Sequence, residues 1–376
     1  MMPENRIALL AAGGTGGHLF PAQALALELK KRGWRIHLAT DHRVEAYGQD
    51  FPAEETHLIA SATLTRAPVA VALGLLQLGR GVLQAWPLMR RVKPGVAVGF
   101  GGYPTLPPML AAARTGVPTV IHEQNAVIGR ANGFLAPRVT AIATSQSEVR
   151  GTEKVRAKIV QTGNPVRPAV LEAAHMPYPA PAADGPFCLL VFGGSQGARF
   201  MSDLVPPAVA LLADTLRRRL RIVQQCRPED IARVDKAYKD LAVGACLAPF
   251  FHDMPQRIAR SCLVICRAGA STTAELTVIG RPAIMVPLPG ALDQDQKANA
   301  MVVAAAGGGW MVEQADMSPE RLAADLSALM VEPGRLSAAA EAARKAGRAD
   351  AVERLADVVE RVAAGGSAGR AAGVTP

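Results

Sequence analysis

Aromatic side chains are scarce in this chain, where Phe, Trp and Tyr make up 4% of 376 residues. No basic run is interleaved with them, so a stacking platform for nucleic acid is not expected. Cysteine is scarce as well, five residues without a CxxC pair, and Cys262 and Cys266 merely flank the apolar run Leu263-Val264-Ile265. That signals neither a disulfide framework nor a zinc site and fits a reducing compartment. Uninterrupted apolar runs of about 20 residues, the length a spanning helix needs, are missing too. The most apolar stretch, Val69 to Met89, is broken by Arg80, two glutamines, three glycines and Pro87. Met1 to Arg6 runs directly into the apolar segment Ile7–Ala12 without the features of a signal peptide, so a cytoplasmic location is expected.

Acid is absent from one long segment. Between Glu55 and Glu123 there is no Asp or Glu, whereas Arg66, Arg80, Arg90, Arg91, Lys93 and Arg114 are all basic. Within it Leu75, Leu78, Val82 and Trp86 recur at helical spacing, predicting one or two apolar helices. Apolar side chains beside Arg and Lys suit either a core helix or the interface of an anionic membrane. The formal net charge of +9 favours an anionic partner. The cluster Arg217-Arg218-Arg219-Leu220-Arg221 reads as a solvated helix end.

What is abundant is glycine-punctuated α/β grammar. Hydrophobic residues reach 49%, and glycine and proline number 35 and 28. An apolar strand, a glycine-rich turn and a helix occur twice: Ile7–Ala12 before Gly13-Gly14-Thr15-Gly16-Gly17-His18, and Phe187–Phe192 before Gly193-Gly194-Ser195-Gln196-Gly197-Ala198. The first helix carries Ala22, Leu25, Ala26 and Leu29 on one face and stops at Gly33; the second is expected to run to about Asp214. A repeated βαβ start predicts two Rossmann-like halves. Further strands precede Gly101-Gly102-Tyr103, His122-Glu123-Gln124-Asn125 and Arg267-Ala268-Gly269-Ala270, and such loops at strand carboxyl ends should converge on one interdomain cleft. The domain boundary is expected near 165 to 185, where His175 to Pro181 forms a proline-rich connector.

Glycines before a helix let backbone N–H groups approach an anion, aided by the positive helix end. Gly14-Thr15-Gly16 lacks the third glycine of the dinucleotide fingerprint, and neither loop ends in GK[ST], which disfavours NAD binding and ATP hydrolysis. The better diphosphate candidate is Gly269-Ala270-Ser271-Thr272-Thr273-Ala274-Glu275. Its carboxylate can accept two ribose hydroxyls or close a capping box. Asp293-Gln294-Asp295-Gln296 suits sugar hydroxyls better than a metal ion. His18 can act as a base near neutral pH or merely cap and pack.

Taken in order, Gly13 to Pro21, Gly101-Gly102-Tyr103, His122 to Asn125, Gly163-Asn164-Pro165-Val166-Arg167, Gly193 to Ala198 and Gly269 to Glu275 resemble the MurG glycosyltransferases of family 28, across roughly residues 5 to 345. The resemblance implies a GT-B fold and an inverting hexosyltransferase that moves N-acetylglucosamine from its UDP donor to the 4-hydroxyl of undecaprenyl-diphospho-N-acetylmuramoyl-pentapeptide, making lipid II for peptidoglycan. Residues 1–165 would hold the lipid acceptor, with a carboxyl-terminal helix, 347–364, packing back on them; 166–346 would bind the donor, and 365–376 would be a flexible tail. Thr15, Gly16, Gly17 and Asn125 would face donor sugar and acceptor. Arg167 and Ser195 would meet the diphosphate, Phe251 the uracil, and Ala270, Ser271, Thr272, Thr273, Ala274 and Glu275 diphosphate and ribose. Gln296 would contact sugar hydroxyls. His18 is the candidate base, with His122 and Glu123 as alternatives. No metal or other cofactor is expected. The expected surroundings are the cytoplasmic face of the inner membrane and proteins of cell-wall synthesis and division, without nucleic acid. The family commonly has Ser where Ala268 stands and Asn where Ser202 stands. The competing readings are a GT-B enzyme with another membrane acceptor, a nucleotide-sugar binder without turnover and, more remotely, a dehydrogenase.

Overall fold

A computed structural model describes residues 6–13, 16–42, 51–62, 68–290 and 294–366, with backbone only for 68–70 and 195–198. The chain divides into two compact units, 1–167 with 349–376, and 168–348. The first unit holds β1 (Ile7–Ala11), β2 (Arg35–Thr40), β3 (Glu55–Leu58), β4 (Val96–Gly99), β5 (Thr119–Glu123), β6 (Ala141–Thr144) and β7 (Ile159–Gln161). They form one parallel sheet in the order β3-β2-β1-β4-β5-β6-β7. The second unit holds β8 (Phe187–Phe192), β9 (Leu220–Gln225), β10 (Gly244–Ala248), β11 (Leu263–Cys266), β12 (Ala283–Met285) and β13 (Gly309–Met311), ordered β10-β9-β8-β11-β12-β13 and again parallel.

Both sheets reverse their strand order beside their first strand, at β1/β4 and at β8/β11. Parallel sheets of this kind bind ligands at the carboxyl ends flanking such a switch point, because the connections there leave on opposite faces and open a crevice. The glycine turns after β1 and β8 and the loops after β4 and β11 occupy those positions. Strands β1, β4, β5 and β6 are buried along their whole length; β1 accordingly reads as a continuous apolar run, whereas β5 ends in the buried polar pair His122-Glu123.

Helix Gly16–Lys31 buries Ala22, Leu25, Ala26 and Leu29 against one face of the first sheet. Beside it packs helix Ala351–Ala363, whose Leu355, Ala356, Val358, Val359 and Val362 enter the same core. Each such Leu or Val contributes roughly 1.5–3 kcal/mol on burial. Polar ties fix the register: Arg32 pairs with Asp357 and Glu360, and Trp34 Nε1 donates to Glu360 at 3.0 Å.

The expectation of one or two helices in the apolar segment is met, and the expected end of the helix after β8 needs correction. The apolar segment is one 25-residue helix, Pro68–Val92, but its inward face is offset from the Leu75-Leu78-Val82-Trp86 row. Gly74, Gly81, Ala85, Leu88, Met89 and Val92 are buried, whereas Leu75 is 56% exposed. Close approach explains the offset: a Cβ at Gly81 would lie 2.1 Å from the Ala60 carbonyl oxygen, so the helix meets its neighbours through glycine. Helix Gly194–Ala210 stops before Asp214, which opens a separate turn, Asp214–Arg217.

Candidate active site

In the first unit the side chains around the switch point are organised by one buried carboxylate. Glu123 is the last residue of β5 and is buried at 1% exposure. Its Oε1 accepts from the backbone and side-chain N–H of Asn125 at 3.0 and 3.2 Å. Its Oε2 accepts from Gly129 N at 2.9 Å and Asn132 Nδ2 at 2.8 Å. Burial pushes this carboxyl up from its ordinary pKa, and the four N–H donors pull against that shift. Asn132 also donates to the His122 carbonyl at 3.1 Å, and Gln124 Nε2 to the Phe100 carbonyl at 2.9 Å. The strand end and the 125–132 turn are thereby tied into one body that presents Asn125.

His18 stands in the first turn of helix Gly16–Lys31, and its ring lies along the Gly101-Gly102 backbone. Both glycines have positive φ, 86° and 75°, and added Cβ atoms would come within 3.3–3.4 Å of the imidazole or Asn132. Side chains there would be strained and would push the ring aside. His122, fully buried on β5, donates through Nε2 to the Gly163 carbonyl at 2.9 Å. Burial depresses its pKa to about 4, with the nearby His18 charge adding to the effect. Arg167 places its guanidinium 4.6 Å over the Phe20 ring, the aromatic against which Gly16 also packs. Gly17 follows in that same helical turn, whereas Thr15 lies outside the described residues.

The His122 shift has a consequence for acid stability. The folded pKa lies below the ordinary 6.5, so the unfolded chain takes up this proton first as pH falls. Stability from the neutral ring is complete above about pH 6.5 and declines toward pH 4 by on the order of 3 kcal/mol. Urea midpoints of the parent chain should fall across that window, and His122→Gln, which keeps an N–H donor, should flatten the fall. An equally steep fall in the variant would refute the assignment.

In the second unit helix Ala270–Ile279 starts directly after Gly269, whose position provides no side-chain cap for the first-turn N–H groups. Ser271 Oγ is buried there with no hydrogen-bond partner among the described residues. Thr273 Oγ1 turns back to the Gly269 and Ala270 carbonyls, and Glu275 is buried one turn in. Thr272 and Ala274 belong to the same opening turns, and Ser195 lies in helix Gly194–Ala210 with its side chain outside the described part. Gln296 Oε1 accepts from Ala268 N at 3.3 Å and Leu288 N at 3.0 Å, linking the loops after β11 and β12. What it can offer a sugar is therefore its amide NH2. Phe251 is buried beneath the Arg257 guanidinium at 4.1 Å, while neighbouring Phe250 is 60% exposed.

Asn132 and Asn299 escaped the sequence reading, and Arg267 was named there only as part of its loop. Asn132 sits mid-helix in an unremarkable stretch. Arg267 spans the Val286 and Pro287 carbonyls and Gln314, and Asn299 holds the Ala268 carbonyl at 3.2 Å. An Arg directly after the apolar run Leu263–Cys266 was the available signal for Arg267.

Comparison with known proteins agrees with both halves of this architecture. The glycosyltransferase family 28 N-terminal domain matches residues 8–144 and its C-terminal domain residues 188–355. A UDP-N-acetylglucosamine--N-acetylmuramyl-(pentapeptide) pyrophosphoryl-undecaprenol N-acetylglucosamine transferase of Methylobacterium sp. (strain 4-46) is 59% identical, over 96% of this chain and 98% of that protein. Its namesake from Rhodopseudomonas palustris (strain ATCC BAA-98 / CGA009) is 56% identical over 96% and 100%. Among solved structures, MurG of Acinetobacter baumannii superposes with a TM-score of 0.78 at 29% identity, covering 95% and 99%.

Proposed function

The chain belongs to glycosyltransferase family 28, and from that membership we infer that it transfers N-acetylglucosamine from UDP-N-acetylglucosamine to the undecaprenyl-diphospho-N-acetylmuramoyl-pentapeptide lipid. It is an enzyme of the hexosyltransferase class. The observation in the fold that carries the donor end is the helix start after Gly269, whose cap position supplies no side-chain hydrogen bond, with a buried Ser271 hydroxyl in its first turn that has no partner among the described residues. A diphosphate satisfies both at once, since it accepts hydrogen bonds and is drawn to the positive helix end.

In our reading the acceptor's 4-hydroxyl attacks the anomeric carbon opposite the UDP group, inverting the linkage in one displacement. His18 takes the hydroxyl proton, and Asn125 with the Gly16-Gly17 turn orients the two sugars. Arg167, Ser195 and the Ala270 to Glu275 turns take the charge that develops on the departing diphosphate, while Gln296 holds sugar hydroxyls and Phe251 supports the uracil side. A cationic guanidinium and a helix amino terminus can replace a divalent ion at the leaving group. Transfer of labelled sugar should accordingly proceed unchanged in EDTA, and loss of turnover that Mg²⁺ restores would overturn this part.

We assign the membrane contact to helix Pro68–Val92. Among the described residues no helix is long and apolar enough to cross a membrane. This one instead exposes Leu73, Leu75, Leu76 and Leu83 beside Arg80 and Arg90. Such a face lies in the headgroup boundary of an anionic leaflet, which the acceptor's lipid tail requires the enzyme to reach. Replacing Leu76 and Leu83 together by Asp should lower partitioning onto anionic vesicles by roughly tenfold or more. Unchanged partitioning in sedimentation assays would move the contact elsewhere.

A further inference from the structure

Away from the residues assigned to transfer, the edge of the first sheet brings two buried histidines and a carboxylate onto one face. Parallel pairing sets His37 of β2 opposite Glu55 of β3, and Ala39 opposite His57. Because side chains two apart share a face, Glu55 and His57 project to the same side, beside His37. His37 Nδ1 lies 2.9 Å from His57 Nε2 and 3.8 Å from Glu55 Oε2, and His57 Nδ1 lies 3.5 Å from Glu55 Oε1. Both rings are buried, while the carboxylate is half exposed. We propose that His37, Glu55 and His57 form a binding site for one divalent transition-metal ion, with Zn²⁺ the best match.

The chemistry and the dimensions agree. Zinc takes imidazole nitrogen and carboxylate oxygen at about 2.0–2.2 Å, so neighbouring ligand atoms of a tetrahedron stand about 3.3 Å apart. The observed 2.9 and 3.8 Å bracket that spacing. In the metal-free cluster one proton lies between the two rings. For both His37 Nδ1 and His57 Nε2 to offer lone pairs, His57 carries its proton on Nδ1, 3.5 Å from Glu55 Oε1, and His37 carries its own on Nε2, which is buried with no hydrogen-bond partner among the described residues. The set of two imidazoles and one carboxylate leaves a fourth position for water, and it favours zinc over oxygen-seeking Mg²⁺ or Ca²⁺. Burial also lowers the pKa of both histidines, which keeps them in the neutral, ligating form.

One group competes. Arg91 of helix Pro68–Val92 reaches Glu55 Oε1 at 3.0 Å and comes within 3.5 Å of His57 Nδ1. Its side chain is 65% exposed, so it can swing into solvent when a cation arrives. A bound ion would join the edge strand β3 to β2 beside this helix and stabilise the folded chain by mass action.

The test is titration of the chelator-stripped full-length chain with Zn²⁺ by calorimetry, and with Co²⁺ by visible absorption. One equivalent should bind, without the thiolate-to-cobalt charge-transfer band that would report cysteine ligands. Affinity should fall by roughly tenfold or more in His57→Ala, rise severalfold in Arg91→Ala and stay unchanged in His175→Ala, which alters an exposed histidine elsewhere. If His57→Ala fails to fold by circular dichroism, Arg91→Ala on the surface still decides. The proposal is overturned if the stripped parent chain binds no stoichiometric Zn²⁺, if the cobalt complex shows thiolate ligation, or if Arg91→Ala leaves affinity unchanged.

Discussion

His18→Ala should lower kcat for sugar transfer by about 10²–10⁴-fold, the contribution typical of a positioned general base, while UDP-N-acetylglucosamine binding stays within about twofold of the parent. The expectation rests on where the ring is held. The first helical turn and the Gly101-Gly102 backbone fix its plane, and the alternative His122 is fully buried with its Nε2–H committed to the Gly163 carbonyl. A base must reach the acceptor hydroxyl, and a ring with no exposed surface cannot do so without rearrangement. Steady-state kinetics beside calorimetric donor binding check the claim. A variant that keeps more than about a tenth of parental kcat would remove His18 from that role.

Glu123→Ala should damage both stability and turnover, which distinguishes a positioning residue from a base. Removing the carboxylate takes the acceptor from the half-buried N–H groups of Asn125 and Gly129 and leaves buried Asn132 with the His122 carbonyl alone. Each unmet donor costs about 1–3 kcal/mol, so a loss on the order of 3 kcal/mol or more in urea unfolding is expected. Turnover should fall with it, because Asn125 loses the contact that orients it. Donor binding should survive, since the proposed diphosphate helix belongs to the other compact unit. Parental stability combined with abolished turnover would instead make Glu123 the base.

Much of the architecture was legible because parallel α/β units write themselves plainly. Strands buried on both faces appear as apolar runs such as Ile7–Ala11, and helix Gly16–Lys31 shows its inward face in Ala22, Leu25, Ala26 and Leu29. Helix Pro68–Val92 was harder for a physical reason. Its contact face is built from Gly74, Gly81 and Ala85, residues chosen for close approach, while several of its leucines face outward. Hydrophobic periodicity reports apolar content, and here part of that content, Leu73, Leu75, Leu76 and Leu83, points away from the core. In the site, motif glycines and His18 were visible as residues, but the Glu123 network was not. Asn132 joins it from nine residues away through a turn, and a hydrogen bond across such a turn leaves no periodic trace. The edge-strand cluster was hidden likewise, because only strand register reveals that His37, Glu55 and His57 share a face.

The central claim is most directly tested by incubating the parent chain with radiolabelled UDP-N-acetylglucosamine and a synthetic undecaprenyl-diphospho-N-acetylmuramoyl-pentapeptide, then following label into the lipid product. The account predicts repeated turnovers and a β-linked disaccharide on the lipid. Tight binding of the UDP-sugar without any label entering the lipid would contradict it.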